Sequence, residues 1–297
     1  MRLHLAEASK ERGQYKVLAQ EGYLYTLVSY AYPIACREHF PLYWDELLRI
    51  HLAGLPSSND LTTYTDPHEV TAKLKHMNTL PRVIIDSGAF TAWTSGKPIN
   101  PKDYAKWALD FDSRWRHKMH SLEFMSLDVI GDQDASWQNQ SILEGLGMNP
   151  LPIVTYGVDL KHLDRALANY DYIALGGLVP LRTDKVKMQK WLDACFSRVM
   201  QYKKETGIMR RIHLLGVTTD WILKRYPCFS SDSSTWVSCL RFGSAASAGI
   251  KQIPRYKESS GAMAATIHTL RSEIRKYKKM QDEATNLWTK RGIIFND

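Results

Sequence analysis

Cysteine is scarce in this chain. There are four in 297 residues, Cys36, Cys195, Cys228 and Cys239, and no two stand in a CxxC or CxC spacing. That removes the zinc-ribbon and iron–sulfur signatures. It leaves buried free thiols in a reducing compartment as the plain expectation. Long apolar runs are missing as well. The most apolar stretch, Tyr23 to Cys36, is interrupted by tyrosines and falls short of the ~20 residues that span a bilayer. The opening MRLHLAEASKERGQYK lacks the apolar centre of a signal peptide, so a cytoplasmic protein with no membrane partner is expected. Glycine (17) and proline (12) are too few for a collagen-like or low-complexity chain. The GxGxxG fingerprint of dinucleotide-binding sheets is absent. No glutamate stands at the end of an expected strand, where a sugar hydrolase with paired carboxylates would need one.

What is present describes a globular protein. Hydrophobic residues make up 44% and charged residues 24%, enough to build a core and unlike a disordered chain. Lys+Arg 39 exceed Asp+Glu 31, a formal charge of +8. That surplus suits a nucleic-acid or phosphate partner, and it suits an ordinary basic soluble protein equally.

From about residue 81 onward the chain alternates two patterns. Short β-rich runs end in small or polar residues: VIID (83–86), FMSLDV (124–129), PIVTYG (152–157), YIALGG (172–177), IHLLGV (212–217) and CFSSDSS (228–234). Amphipathic stretches lie between most of them. Asn100–Pro101 opens one as an N-cap with proline at the first helical position. Tyr104, Trp107, Ala108, Phe111 and Trp115 then follow at helical spacing. Leu160, Leu163 and Leu167 form a second stripe. Met188, Trp191, Leu192, Cys195, Phe196 and Val199 form a third. These stripes read as core packing.

Strand–helix alternation means a parallel sheet with helical crossovers. A first strand around Tyr25–Tyr30 and a last one after Cys239 would bring the count near eight. The expectation is therefore an α/β fold, a single (β/α)8 TIM-like barrel domain over 1–297. Residues 37–80, rich in turn signals, read as an insertion after the first strand. Residues 260–291 read as a long C-terminal helix, clearest from Ala262 to Thr289. It carries Arg271, Arg275, Lys276, Lys278 and Lys279. A solvated face explains these charges, and so does contact with a phosphate backbone, for which Arg275 and Lys279 are the candidates.

The carboxylates are placed informatively. Asp86 ends VIID, Asp128 ends FMSLD, and Asp232 sits in FSSDSSTW. In a parallel barrel the C-terminal strand ends share one mouth, so three aspartates distant in sequence would converge there. Any one of them alone reads as a turn or N-cap residue. Ser87-Gly88-Ala89 and Gly176-Gly177 leave room for a ligand to approach the backbone, and each also suits a tight turn. His213 reads either as a mouth residue or as a satisfied core histidine. Trp93 and Trp236 read either as pocket lining or as rim packing. Arg210-Arg211 and Lys203-Lys204 read as helix-end charges or as phosphate contacts.

In order, DSGAF (86–90), SLDV (126–129), PIVTYG (152–157), ALGGL (174–178), HLLGV (213–217) and SSDSSTW (230–236) resemble the tRNA-guanine transglycosylase superfamily. The resemblance covers roughly residues 80 to 240. Members are (β/α)8 barrels that exchange a guanine in a polynucleotide for a 7-deazaguanine. The resemblance implies that Asp232 is the nucleophile at C1′ and Asp86 the acid/base for the departing and arriving bases. It implies that Asp128 reads the base edge, while Ser87 and Gly88 count as substrate-binding because they let a ligand approach the backbone after Asp86. Gly176, Gly177 and Leu178 would contact the base through their backbone, and Phe90 and Leu215 would sandwich its ring.

The chemistry agrees with those residue types. A carboxylate can capture the positive charge that builds at C1′, splitting one hard displacement into two, and a second group must move the base's proton. The tRNA enzymes carry a Cys/His zinc cluster and a glutamine near Thr155 or Tyr156. Both are missing here, and no appended RNA-binding domain is apparent. No metal and no cofactor are expected. SSDSSTW is more similar to the DNA-modifying branch of bacteria and their phages, whose products can shield a genome from restriction. The expected partners are then DNA with a flipped or single-stranded guanine and a free 7-deazaguanine base (preQ0-like). A divergent tRNA enzyme, a non-catalytic nucleic-acid-binding partner subunit and an unrelated barrel glycosidase stand as the alternatives.

Overall fold

The computed structural model describes residues 1–6, 12–31, 78–237 and 260–295. In chain order its strands are β1 (Arg2–Ala6), β2 (Tyr25–Ser29), β3 (Arg82–Asp86), β4 (Ser121–Phe124), β5 (Ile153–Thr155), β6 (Tyr172–Gly176), β7 (Arg211–Leu214) and β8 (Ser230–Ser233). The helices are α1 (Arg12–Gln20), α2 (Ala89–Ser95), α3 (Pro101–Trp115), α4 (Gln133–Gly145), α5 (Lys161–Asn169), α6 (Lys185–Thr206), α7 (Asp220–Arg225) and α8 (Ser260–Lys290).

All eight strands belong to one sheet in the order β4-β3-β2-β1-β8-β7-β6-β5, and every paired ladder is parallel. The sheet curls until its outer strands approach each other. Beyond β4, Met125 bridges Leu151, just before β5. Leu151 N–H donates to Phe124 O at 2.7 Å, and Ser126 N–H donates to Leu151 O at 2.9 Å.

Two expectations are corrected. The first strand is Arg2–Ala6, so the strand at Tyr25–Ser29 is the second, and the segment 37–80 follows the second strand rather than the first. Residues 37–77 of it lie outside the described residues, as do Cys36 and Cys239. β1 supplies the eighth strand that had been sought after Cys239. It inserts between β2 and β8, placing Arg2 opposite Ser230 and His4 opposite Asp232. β4 also lies earlier than FMSLDV suggests, which leaves Asp128 in the loop beyond it.

Helices pack outside the curl as their stripes require. Asn100 Oδ1 accepts the Lys102 N–H at 2.8 Å, with Pro101 at the first helical position. Tyr104, Ala105, Ala108 and Phe111 then turn inward, buried. On α6 the buried stripe is Met188, Leu192, Cys195, Phe196 and Val199. α8 buries Leu270, Ile274, Tyr277 and Ala284. It also ties down the N-terminal strand, since Gln281 Oε1 accepts the Leu3 N–H at 2.9 Å. No helix among the described residues is long and apolar enough to cross a membrane.

Inside the curl, period-two alternation sorts the side chains into levels. On β3, Val83 and Ile85 join the outer core, while Ile84 joins the inner one with Ala6, Leu27, Met125, Ile153 and Ala174. Arg82 and Asp86 share the face of Ile84, at opposite ends of the strand. At the N-terminal strand ends three arginines lie over aromatic faces: Arg2 on Phe229 (4.5 Å), Arg82 on Tyr25 (5.5 Å) and Arg211 on Tyr172 (5.1 Å). Glu123 lies among them. Burial pushes its carboxyl up, opposed by Arg211, Arg116 and Arg2. The floor thus carries three arginines around Glu123, and Asp86 and Asp232 stand toward the opposite end.

Candidate active site

Asp86 ends β3 on the inner face, and the register sets it opposite Ser29 of β2. Ser29 Oγ donates to its Oδ2 at 2.9 Å, and the Gly88 N–H donates to the same oxygen at 3.2 Å. Glycine is needed at 88. Its φ is +80°, and a Cβ there would stand 2.7 Å from that of Ala31. Burial raises the Asp86 carboxyl above the ordinary range. The Ser29 hydrogen bond opposes that rise, and the nearby charge of Asp232 adds to it. Asp86 is therefore a carboxyl that holds a proton more readily than a surface aspartate. Asp128, in the loop after β4, is pushed up to about 7, first by burial and then by the charge of Asp86.

Asp232 stands on β8. Its Oδ1 accepts two hydrogen bonds, from His213 Nε2 at 3.1 Å and from the Gly216 N–H at 2.7 Å. Its Oδ2 accepts none from the described residues. Gly216 follows β7 at φ +73°, a left-handed turn that aims its N–H at the carboxylate. Arg182 holds the next peptide by donating to the Gly216 carbonyl at 2.5 Å.

Behind Asp232 a chain of hydrogen bonds runs toward the floor. His213 Nδ1 meets Ser230 Oγ at 2.6 Å, and Ser230 Oγ meets the Tyr172 hydroxyl at 2.5 Å. Burial raises Tyr172 well above the ordinary phenol, so it stays a protonated donor. His4 lies beside this chain with its ring 6.1 Å from that of His213. Its Nδ1 donates to Thr26 O at 3.1 Å. Burial, and next the charge of His213, pull its imidazole well below the usual value.

Serine, histidine and aspartate are thus joined in line, but not as in a hydrolase. Ser230 and His213 are fully buried. The serine lies on the floor side of the ring, where no substrate reaches it, and the aspartate faces the mouth.

Asp86 lies within electrostatic reach of Asp232 on β8 and of Asp128 in the loop beyond β4. Gly176 ends β6, and Gly177 begins the following turn at φ +71°. Leu215 packs against the inner core. Phe90 and Trp93 stand on α2 with rings 5.9 Å apart, 51% and 61% exposed. Other candidate side chains have partners within the fold. Ser87 is fully buried, and its hydroxyl accepts the Ala89 N–H at 3.4 Å. The Leu178 side chain is fully buried in the outer core. Trp236 is buried and donates to Ala6 O at 2.7 Å. Arg210 is bound to Asp171, to Leu167 O and to the Tyr202 hydroxyl. Arg275 makes a two-point pair with Glu21 at 2.9 and 3.1 Å, and Lys279 lies 3.9 Å from Glu283.

Sequence reasoning missed Gly216, Ser29, Ser230 and Tyr172, and left His213 undecided. The available signal was the polar alternation of His213 with Arg211, and of Ser230 with Asp232, on strands otherwise built to be buried. Among the described residues no three His, Cys, Asp or Glu side chains are grouped to hold a metal ion. Comparison of the sequence with protein-family models and with curated proteins gives no match.

Proposed function

We propose that this chain is a DNA-guanine transglycosylase, exchanging guanine in DNA for a free 7-deazaguanine base. In this reading the curled sheet is a (β/α)8 barrel whose mouth lies at the C-terminal strand ends. The observation that carries it is the pair of carboxylates there. Asp232 has one oxygen held and the other unengaged, and Asp86 is disposed to hold a proton in the neighbourhood of that charge.

The reaction follows from those states. Asp232 attacks C1′, and a C1′–O bond forms as the C1′–N9 bond breaks. The electron pair leaves with guanine, which takes the proton of Asp86. The incoming base then gives its N9 proton to Asp86 and attacks C1′, and the Asp232 carboxylate departs with its electron pair. Two inversions retain the sugar configuration, as in retaining glycosidases. Asp128, whose carboxyl burial pushes up toward neutral pH, can accept from or donate to the base edge. Phe90 offers an exposed face for stacking, worth ~1–3 kcal/mol per base.

The test is incubation of the protein with guanine-containing DNA, or with tRNA, plus a 7-deazaguanine base, followed by nucleoside mass analysis. A modified deoxynucleoside from wild type and none from Asp232→Ala is the expected result. Modified tRNA alone would move the activity to the RNA branch. No product on either polymer, with DNA still bound in a gel-shift assay, would overturn the catalytic reading in favour of a non-catalytic nucleic-acid-binding subunit.

A further inference from the structure

We propose that His213 is a positioning residue that selects which oxygen of Asp232 attacks. With the Gly216 N–H it holds Oδ1, leaving Oδ2 as the nucleophilic atom. The inference rests on the reading of Asp232 as the nucleophile.

With a neutral ring, the hydrogen-bond directions leave one arrangement. An ionised carboxylate only accepts, so the ring proton facing Asp232 is on Nε2. Nδ1 is then the acceptor for the Ser230 hydroxyl at 2.6 Å, and Ser230 is in turn the acceptor for Tyr172 at 2.5 Å. Each member of the chain donates toward the mouth, and Tyr172 is its terminal donor. The chain orients the imidazole from behind, and the imidazole orients the carboxylate. The ring is fully buried. Gly216 supplies the second donor from a different loop, so the two N–H groups clamp Oδ1 from β7 and from the turn beyond it.

The clamp acts unequally on the two displacements. While Oδ2 is bonded to C1′, Oδ1 is the carbonyl oxygen of the ester. When that bond breaks, the electron pair returns to the carboxylate and negative charge appears on Oδ1, where both donors already point. Preorganised donors of this kind stabilise the charge as it develops. His213 therefore speeds release of the sugar to the incoming base, and by the same charge argument it does not speed the first attack.

The test compares wild type, His213→Phe, His213→Gln and Ser230→Ala on guanine-containing DNA with a 7-deazaguanine base. Turnover and the fraction of protein retained as a DNA adduct on a denaturing gel are both read. Losing one hydrogen bond to a charged group predicts a kcat reduction on the order of 10- to 100-fold for His213→Phe, with KM little changed. The adduct fraction should rise, which a folding defect alone would not produce. His213→Gln, whose amide N–H can still donate to Asp232, should recover most of the rate. Nitrogen NMR of wild type should place the ring proton on Nε2, a readout that needs no variant and no substrate.

If wild type makes product while His213→Phe matches its kcat and adduct fraction, the inference fails and the nucleophile reading stands. A ring proton on Nδ1 with Nε2 bare would also overturn the inference alone. If wild type itself makes neither product nor adduct, both fall together.

Discussion

Replacing Gly216 by alanine tests the turn that holds Asp232. The residue sits at φ +73°, and left-handed backbone costs a residue with a Cβ ~1–2 kcal/mol. The new Cβ would also stand 2.4 Å from Val179 Cγ2, and crowding of that kind costs ~1–3 kcal/mol. Together Gly216→Ala should lose about 2–5 kcal/mol. Val179 is 39% exposed, so Val179→Ala by itself should cost little. Combined with Gly216→Ala it should return the crowding part and leave the backbone part. Urea unfolding of the four proteins measures this cycle, and a coupling of about 1–3 kcal/mol is expected. Because the Gly216 N–H donates to Asp232, base exchange should fall further than the folded fraction does. A Gly216→Ala protein as stable as wild type, or a Val179→Ala change that returns nothing, would refute the argument.

Asp128 makes stability depend on pH. Its folded carboxyl sits at about 7, above the ordinary 3.8. The folded state therefore binds the extra proton between those values, and stability falls as pH rises through that window. Asp128→Asn should flatten the loss between about pH 4 and 7 and gain a few kcal/mol at pH 8 in denaturant titrations; an unchanged profile would refute the burial argument. The Cys195 and Cys228 thiols are both pushed up to about 12 by burial. Neither should be alkylated by iodoacetamide at pH 8 in the folded protein, and both should be alkylated in urea, as read by peptide mass mapping. Arg275→Ala with Lys279→Ala should leave the salt slope of DNA binding unchanged, because Arg275 is already paired with Glu21. Two lost phosphate contacts would instead flatten the slope by ~1.8 in log–log terms.

Much of the sheet was legible because β3, β5 and β6 carry apolar runs that stop at a small or acidic residue. β1 was not. Arg-Leu-His-Leu-Ala alternates with its polar members turned inward, where Arg2 finds the face of Phe229 and His4 finds Thr26 O. A reader expecting apolar residues inside a barrel sees only a charged terminus. The position of β4 was missed for a related reason. Glu123 is half-buried among arginines, so the apolar signal begins one residue later, at Phe124. The aspartates were legible from their place after the runs. The partners of Asp232 were not, because they depend on the register of β7 against β8, with His213 opposite Ser230, and on the turn at Gly216. Arg275 and Lys279 were ambiguous because a basic helix face looks the same whether its charges await phosphate or already meet Glu21 and Glu283.

The strand order has a consequence for assembly. β2–β4 and β5–β7 are runs of consecutive strands that can pair as each crossover helix forms. The β1–β8 ladder is different, since it joins Arg2 to Ser230 and His4 to Asp232, the first and last strands in chain order. Contacts of such sequence separation carry a large loop-closure cost and form late. Asp232 has β7 on one side and β1 on the other, so its surroundings are complete only when both halves of the sheet have met. The ability to form a DNA adduct should accordingly appear with the last kinetic phase of refolding, later than the bulk of the helical signal.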